Sequence, residues 1–112
     1  MLYEYKCIIR RIVDGDTVDV DVDLGFDTWI MNKRVRIIHI DAPETRTRDL
    51  EEKELGKAAA AFVEGLLPVG SEQILLSKEY NGKYGRLIGD FVVGDSSLSS
   101  TMLKEGHATY YK

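Results

Sequence analysis

Residues 12–24 read IVDGDTVDVDVDL and hold two strand signals joined by a tight-turn signal. After the turn Asp14-Gly15-Asp16, apolar side chains alternate with aspartates, the period of two expected for a strand with one buried face. The preceding run from Glu4 to Val13, EYKCIIRRIV, has the β-branched composition of a strand. The segment therefore predicts a β-hairpin, with the aspartates of its second strand on a solvated face and not in a metal cluster.

The segments that follow favour a small barrel over a wound α/β sheet. A third strand, KRVRIIHID, stops before a proline, and apolar positions between Glu51 and Leu67 recur at helical spacing. Two more strands, EQILLSKEY and RLIGDFVV, flank the hairpin dipeptide Asn81-Gly82, and the serines of 96–100 can cap a short helix that stops at Gly106. We expect a mainly β protein with helices (α+β), an OB-type five-stranded antiparallel β-barrel with one long and one short helix.

Length and composition narrow the classes of protein. At 112 residues the chain predicts a single domain over 1–112, and a lone cysteine, Cys7, excludes an internal disulfide. The net charge of -4 argues against holding a polyanion by bulk attraction, so local charge must do that work. With no apolar stretch near the roughly 20 residues of a membrane helix and no leader-like N-terminus, we expect no membrane contact and a cytoplasmic protein, unless a secretion signal has been removed.

Acidic and basic side chains converge at the predicted ends of two strands. Asp16 opens the second strand and Asp41 closes the third, so neighbouring strands would bring both carboxylates to one rim, where hard oxygen ligands suit calcium or magnesium. Either motif alone is more often an ordinary turn or strand end. Arg36 lies five residues before Asp41 and Glu44 three after it, and an arginine fork suits phosphate. The other candidates follow the second hairpin turn: Lys83, Tyr84 and Arg86.

Five segments, taken together, carry a resemblance. IVDGDTV, VRIIHIDAPETR, GKAAAAF, KYGRLIGDF and LKEGHATYY occur in the order and approximate spacing of the staphylococcal-nuclease (thermonuclease-like) family, and the likeness runs from about Lys6 to Tyr111. The resemblance implies an OB-type barrel and a calcium-dependent nuclease of low specificity. Such an enzyme hydrolyses DNA or RNA with release of the 5′-oxygen and leaves 3′-phosphate products.

The resemblance also implies roles at matching positions. The metal ligands would be the carboxylates of Asp16 and Asp41 and the backbone carbonyl of Ala42, with the carboxylate of Asp14 close to them. One calcium ion is the expected cofactor, with magnesium the less favoured choice. Glu44 matches the glutamate that orients or deprotonates the attacking water.

The remaining matches concern the substrate. Arg36 and Arg86 match the two arginines that hold the scissile phosphate, and Tyr84 matches a tyrosine near the nucleotide's terminal phosphate. The other residues expected to bind substrate are Lys83, beside Tyr84, and the two tail tyrosines, which can stack on bases: Tyr110 and Tyr111.

Substrate and partners stay partly open at this point. No element suited to reading base edges in a groove is evident, so single-stranded DNA or RNA is the preferred substrate. The alternatives are an OB-type nucleic-acid or protein binding module with weak or no catalysis, and a purely structural barrel. Family members carry a further C-terminal helix, so a dimer is also left open. His39 stands where the family usually has glycine or an apolar residue, which predicts a packing role and not a catalytic one.

Overall fold

The computed structural model describes residues 2–81 and 85–111, and within them the chain folds into short strands and two helices. No helix in this part of the chain is long and apolar enough to cross a bilayer. In chain order the elements are β1 (Tyr3–Asp14), β2 (Thr17–Asp23), β3 (Trp29–Ile37), β4 (Ile40–Asp41), α1 (Leu50–Leu66), β5 (Glu72–Asn81), β6 (Arg86–Val93), β7 (Ser96–Ser97), α2 (Leu98–Lys104) and β8 (Thr109–Tyr110).

Five strands close into a barrel in the order β3-β2-β1-β5-β6, with β6 returning to pair with β3. The OB-type five-stranded barrel with two helices is thereby confirmed. The closing pair of β3 and β6 is parallel, so the barrel is mixed and not wholly antiparallel. The reason is geometric: strand directions that alternate between neighbours cannot all stay opposed around a ring with an odd number of strands.

The core lies inside this barrel and under the long helix. Alternate residues of the strands point inward and are fully buried, among them Ile9, Val18, Val35 and Phe91. Helix α1 adds its own buried face through Ala59 and Val63. These are the positions that the period of two and the helical period place on one face, so the hydrophobic pattern accounts for the core.

The helices agree with the sequence pattern to within about a turn. Helix α1 begins after Asp49, whose side chain accepts hydrogen bonds from the backbone N–H groups of Glu51 and Glu52. Helix α2 begins after Ser97, whose hydroxyl accepts from the N–H of Ser100. Both caps satisfy N–H groups that a helix start leaves without partners.

The third strand is shorter than predicted. It ends at Ile37, because His39 adopts a φ of +63°, which interrupts the extended backbone. The chain then resumes as β4, which pairs with β8 and not with the barrel. A φ in this region favours glycine, so histidine holds a backbone conformation that side chains seldom adopt.

The aspartates of β2 do not form the solvated face that was predicted. Asp19 and Asp21 are only 8% and 4% exposed. Arg34 Nε donates to Asp19 Oδ1 at 2.9 Å, and Arg10 Nε lies 3.4 Å from Asp21 Oδ2. Asp21 also accepts the backbone N–H of Asn32. The alternation of apolar and acidic residues in β2 correctly placed the aspartates on one face of the strand. It could not show that the long side chains of Arg10 and Arg34 lie across that face.

Candidate active site

A cleft of about 300 Å³ opens on the outer surface of the barrel, where β2 begins and β3 ends. It gathers residues that are far apart in sequence and that were singled out for their chemistry. The predicted residues that line it are Asp14, Asp16, Arg36, Asp41, Ala42, Glu44 and Arg86.

The Asp14-Gly15-Asp16 turn is fastened to the segment that follows β4. The Ala42 N–H donates to Asp16 Oδ2 at 2.8 Å, and the Thr17 hydroxyl donates to Asp16 Oδ1 at 2.8 Å. A Cβ at Gly15 would lie 2.9 Å from atoms of both Ala59 and Met102. Glycine therefore lets the turn lie directly against both helices, and the Asp16 carboxylate, only 6% exposed, is held in one place.

Arg36 joins the two carboxylates that the sequence assigned to a metal. Its Nη1 lies 3.6 Å from Asp16 Oδ2, and its Nη2 lies 3.5 Å from Asp41 Oδ1. Nη1 also donates to the backbone carbonyls of Ile37 and Ile40, at 3.0 and 2.9 Å. Four contacts thus fix the direction of the guanidinium, which limits the side-chain freedom lost when an anion binds.

The segment that carries Glu44 is anchored on both sides. The N–H and the hydroxyl of Thr45 both donate to Asp14 Oδ1, each at 2.9 Å. The N–H of Glu44 donates to Glu52 Oε2 at 3.3 Å. The Glu44 side chain itself is exposed, so a fixed backbone presents a carboxylate that water can reach.

A close approach between this segment and helix α1 depends on Gly56. A Cβ at Gly56 would lie 2.4 Å from the carbonyl oxygen of Glu44, so only glycine allows the observed contact. Glycine inside a helix lowers stability by about 0.5–1 kcal/mol relative to alanine. Gly56 was given no role in the site from sequence, although a glycine in the middle of a helical pattern is a signal of such a contact.

Arg34 lines the cleft, although sequence reasoning gave it no role there. It pairs in register with Arg86 across the closing strands β3 and β6. The hydrogen bond from Arg34 to Asp19 raises the pKa of its guanidinium, so it remains charged. It lies two residues before Arg36 in the same strand, and the period of two could have placed both side chains on one face.

The C-terminal tyrosines flank the cleft and do not line it. Arg36 Cζ lies 5.9 Å from the ring centroid of Tyr111, while Tyr110 stacks on His39 with centroids 6.2 Å apart. The N–H of Tyr111 donates to the carbonyl of His39 at 2.8 Å. His39 thus contacts the tail. Lys83 and Tyr84 lie outside the described residues.

The oxygen donors of the cleft are of the kind that a hard divalent cation prefers. Asp16 and Asp41 face one another across a single guanidinium, and both offer carboxylate oxygens. Across residues 2–81 and 85–111 no group of three or more histidine, cysteine, aspartate or glutamate side chains is arranged to hold a metal. Two carboxylates, with carbonyl oxygens and water completing the shell, suit calcium or magnesium and do not suit zinc.

Fold and cleft together define an OB-type barrel with carboxylates and arginines collected on one outer face. The chain belongs to the staphylococcal nuclease homologue family, whose model matches residues 34–112. It is 34% identical to a thermonuclease of Staphylococcus intermedius over 101 residues, which cover 90% of this chain and 56% of that protein.

Two relatives from Bacillus subtilis (strain 168) are similar at the same level. The SPbeta prophage-derived endonuclease YokF is 35% identical over 89% of this chain and 32% of its own length. Endonuclease YhcR is 30% identical over 96% of this chain and 9% of its own length. The chain therefore spans about half or less of these three relatives.

Proposed function

We propose that this chain is a metal-dependent nuclease domain that hydrolyses phosphodiester bonds in DNA or RNA. The observation that carries the proposal is the single cleft in which Asp16, Asp41, Glu44, Arg36 and Arg86 meet. Relatives named thermonuclease and endonuclease support it. A domain kept only for binding has no need of this whole set.

The two arginines are the groups suited to the phosphate. Attack at phosphorus builds negative charge on the phosphoryl oxygens, and guanidinium groups aimed at those oxygens stabilise that charge more than the ground state. Arg36 is already oriented by its carbonyl and carboxylate contacts. Arg86 comes from the opposite strand of the closing pair, so the two cations approach the cleft from different strands.

Glu44 is the group suited to the attacking water. Its carboxylate accepts the proton that water loses as the water oxygen bonds to phosphorus. The bond to the 5′-oxygen breaks, that oxygen takes up a proton from solvent to become a hydroxyl, and a 3′-phosphate is left. A positioned general base of this kind contributes roughly 10²- to 10⁴-fold to a rate. The contacts of Thr45 with Asp14 hold the backbone that presents it.

The residues that would hold the cation are Asp16, Asp41 and the carbonyl of Ala42, with Asp14 in the neighbouring turn. Calcium is the proposed ion, since it accepts irregular oxygen shells, whereas magnesium demands near-octahedral geometry. When bound, it would supply positive charge that offsets the charge developing on the phosphate.

Single-stranded nucleic acid is the proposed form of the substrate. The cleft lies on the outside of a small barrel, and the sequence offers no motif for reading base edges in a groove. The acidic net charge of -4 leaves the local arginines to attract the strand, so binding should weaken steeply with salt. The runner-up, a binding module without catalysis, would share the barrel but not require Glu44.

A direct test compares purified wild type with Glu44→Gln on single-stranded DNA and RNA, with calcium or with chelator. Glu64→Gln is the matched control, because it removes the same charge from an exposed position on α1. We expect calcium-dependent cleavage that falls about 10²- to 10⁴-fold in Glu44→Gln and is unchanged in Glu64→Gln. If wild type cleaves no faster than Glu44→Gln in calcium, the nuclease proposal fails and the binding module takes its place.

A further inference from the structure

A second cleft, of about 190 Å³, lies at the end of the barrel formed by the start of β1 and the ends of β2 and β5. We call it the barrel-end cleft. Its lining is mostly aromatic and aliphatic, with one ammonium group, and includes Tyr3, Tyr5, Leu24, Ile30, Lys78 and Tyr80. Tyr3 and Tyr80 are 62% and 53% exposed, so their rings are accessible from solvent.

Cations accompany the aromatic rings of this cleft. Lys78 lines it, and the Nζ of Lys33 lies 5.8 Å from the centroid of the Tyr80 ring. Aromatic faces beside ammonium groups match the repeating unit of a single strand, in which a flat base alternates with a charged phosphate. A purely aliphatic ligand would offer no negative charge for the ammonium groups of Lys33 and Lys78 to bind.

The barrel-end cleft and the candidate active site are both built on the closing strands β3 and β6. Leu87 lines it and directly follows Arg86, which lines the active-site cleft. On β3, Lys33 directly precedes Arg34, which also lines the active-site cleft. Consecutive residues of a strand point to opposite faces, so the two clefts lie on opposite sides of the same pair of strands, and only a strand that passes round their end can reach both.

We propose that the barrel-end cleft binds an unpaired base of the nucleic-acid strand whose phosphate lies between Arg36 and Arg86. The inference rests on the proposed function for the identity of the strand. The volume is below the roughly 300 Å³ at which pockets for drug-sized ligands begin, which suits one flat ring. A paired base cannot enter, so the cleft selects single strands.

The test measures binding and cleavage separately. Binding of a long fluorescent oligothymidylate and of a thymidine dinucleotide is followed by anisotropy in chelator, with wild type, Tyr80→Leu and Tyr80→Phe. Phe26→Leu is the matched control, since Phe26 is a fully exposed aromatic that does not line the cleft. Lys78→Gln serves as an independent second variant, and thermal melting checks that each protein is folded.

We expect Tyr80→Leu to bind the long strand about tenfold more weakly, while Tyr80→Phe and Phe26→Leu bind like wild type. The dinucleotide, too short to reach both clefts, should bind all four proteins equally. Lys78→Gln should lower the salt dependence of long-strand binding by about one charge.

Equal binding of the long strand by wild type, Tyr80→Leu and Lys78→Gln overturns the proposal and leaves the cleft to a protein partner. Cleavage is then assayed in calcium with the same proteins. Cleavage without any Tyr80 effect on binding refutes the cleft alone. A Tyr80 effect without cleavage supports the cleft and refutes the nuclease.

Discussion

Replacing Gly56 with alanine places a methyl group against the backbone that carries Glu44. The added Cβ would lie 2.4 Å from the Glu44 carbonyl oxygen, whereas ordinary contact is 3.4–4 Å, so the two backbones must separate by about 1 Å. A displacement of that size at a catalytic group costs on the order of 10²-fold in rate. Because Arg36 and Arg86, the groups proposed to bind the phosphate, lie on other segments, we expect the loss in kcat and little change in KM.

Stability should respond less than the rate. Alanine in a helix favours folding by about 0.5–1 kcal/mol relative to glycine, while forcing atoms into a packed contact costs about 1–3 kcal/mol. The net loss in the free energy of unfolding is therefore about 0–2.5 kcal/mol by these principles, and the protein stays folded. Urea unfolding of wild type and Gly56→Ala measures this difference in the free energy of unfolding.

Gly65 provides the matched control in the same helix. A Cβ there meets nothing within 4 Å, so Gly65→Ala should stabilise the protein by about 0.5–1 kcal/mol and leave kcat unchanged. The assay is steady-state hydrolysis of a single-stranded oligonucleotide at saturating calcium. Near-wild-type kcat for Gly56→Ala, or an equal fall for Gly65→Ala, would refute the idea that Gly56 positions Glu44.

Three further predictions concern buried groups. Asp90→Ala removes the acceptor for the N–H and hydroxyl of Ser99, so the free energy of unfolding should fall by about 3 kcal/mol in urea titrations, and a loss under 1 kcal/mol would contradict this. Thr45→Val removes one of the two hydrogen-bond donors to Asp14. We expect a severalfold lower kcat and a free energy of unfolding reduced by about 1 kcal/mol. An unchanged kcat would show that this contact does not orient the segment that carries Glu44. Burial raises the pKa of the Cys7 thiol from 9.0 to about 12. As pH rises, the thiol therefore loses its proton in the unfolded chain before it does so in the folded protein. The free energy of unfolding should fall by up to about 1.4 kcal/mol per pH unit between those two values. Cys7→Ala should abolish that part of the pH dependence, and native Cys7 should resist alkylation at pH 8.5.

Much of the fold was accessible from local pattern. Each of three elements could be recognised from its own residues: β2 from its alternation, α1 from its helical spacing and α2 from the cap at Ser97. The early end of β3 was not accessible, because it follows from the backbone angle of His39, whose side chain gives no strong signal for positive φ. The burial of Asp19 could not be predicted either, since it depends on Arg34 from the next strand, whose side chain lies across it.

In the candidate site too, some residues could be given a role from the sequence and others could not. Asp16, Asp41 and Glu44 stand next to turn and strand-end signals, so their convergence could be predicted before their geometry was known. Gly56 could not be given a role, because its importance comes from a contact with a segment more than ten residues away. Single-domain organisation, cytoplasmic location and the individual catalytic roles stay predictions.

The parallel closure of the barrel also sets the order in which the proposed active site can form. Asp16, Arg36 and Asp41 all precede helix α1, whereas Arg86 opens the last barrel strand. Contacts between distant parts of a chain form late, because a long loop must be closed first. A chain still emerging from the ribosome can therefore assemble the carboxylate half of the cleft but not bring the second arginine to it. The proposed cleavage activity, which would extend to the messenger being translated, would therefore be absent until the barrel is closed.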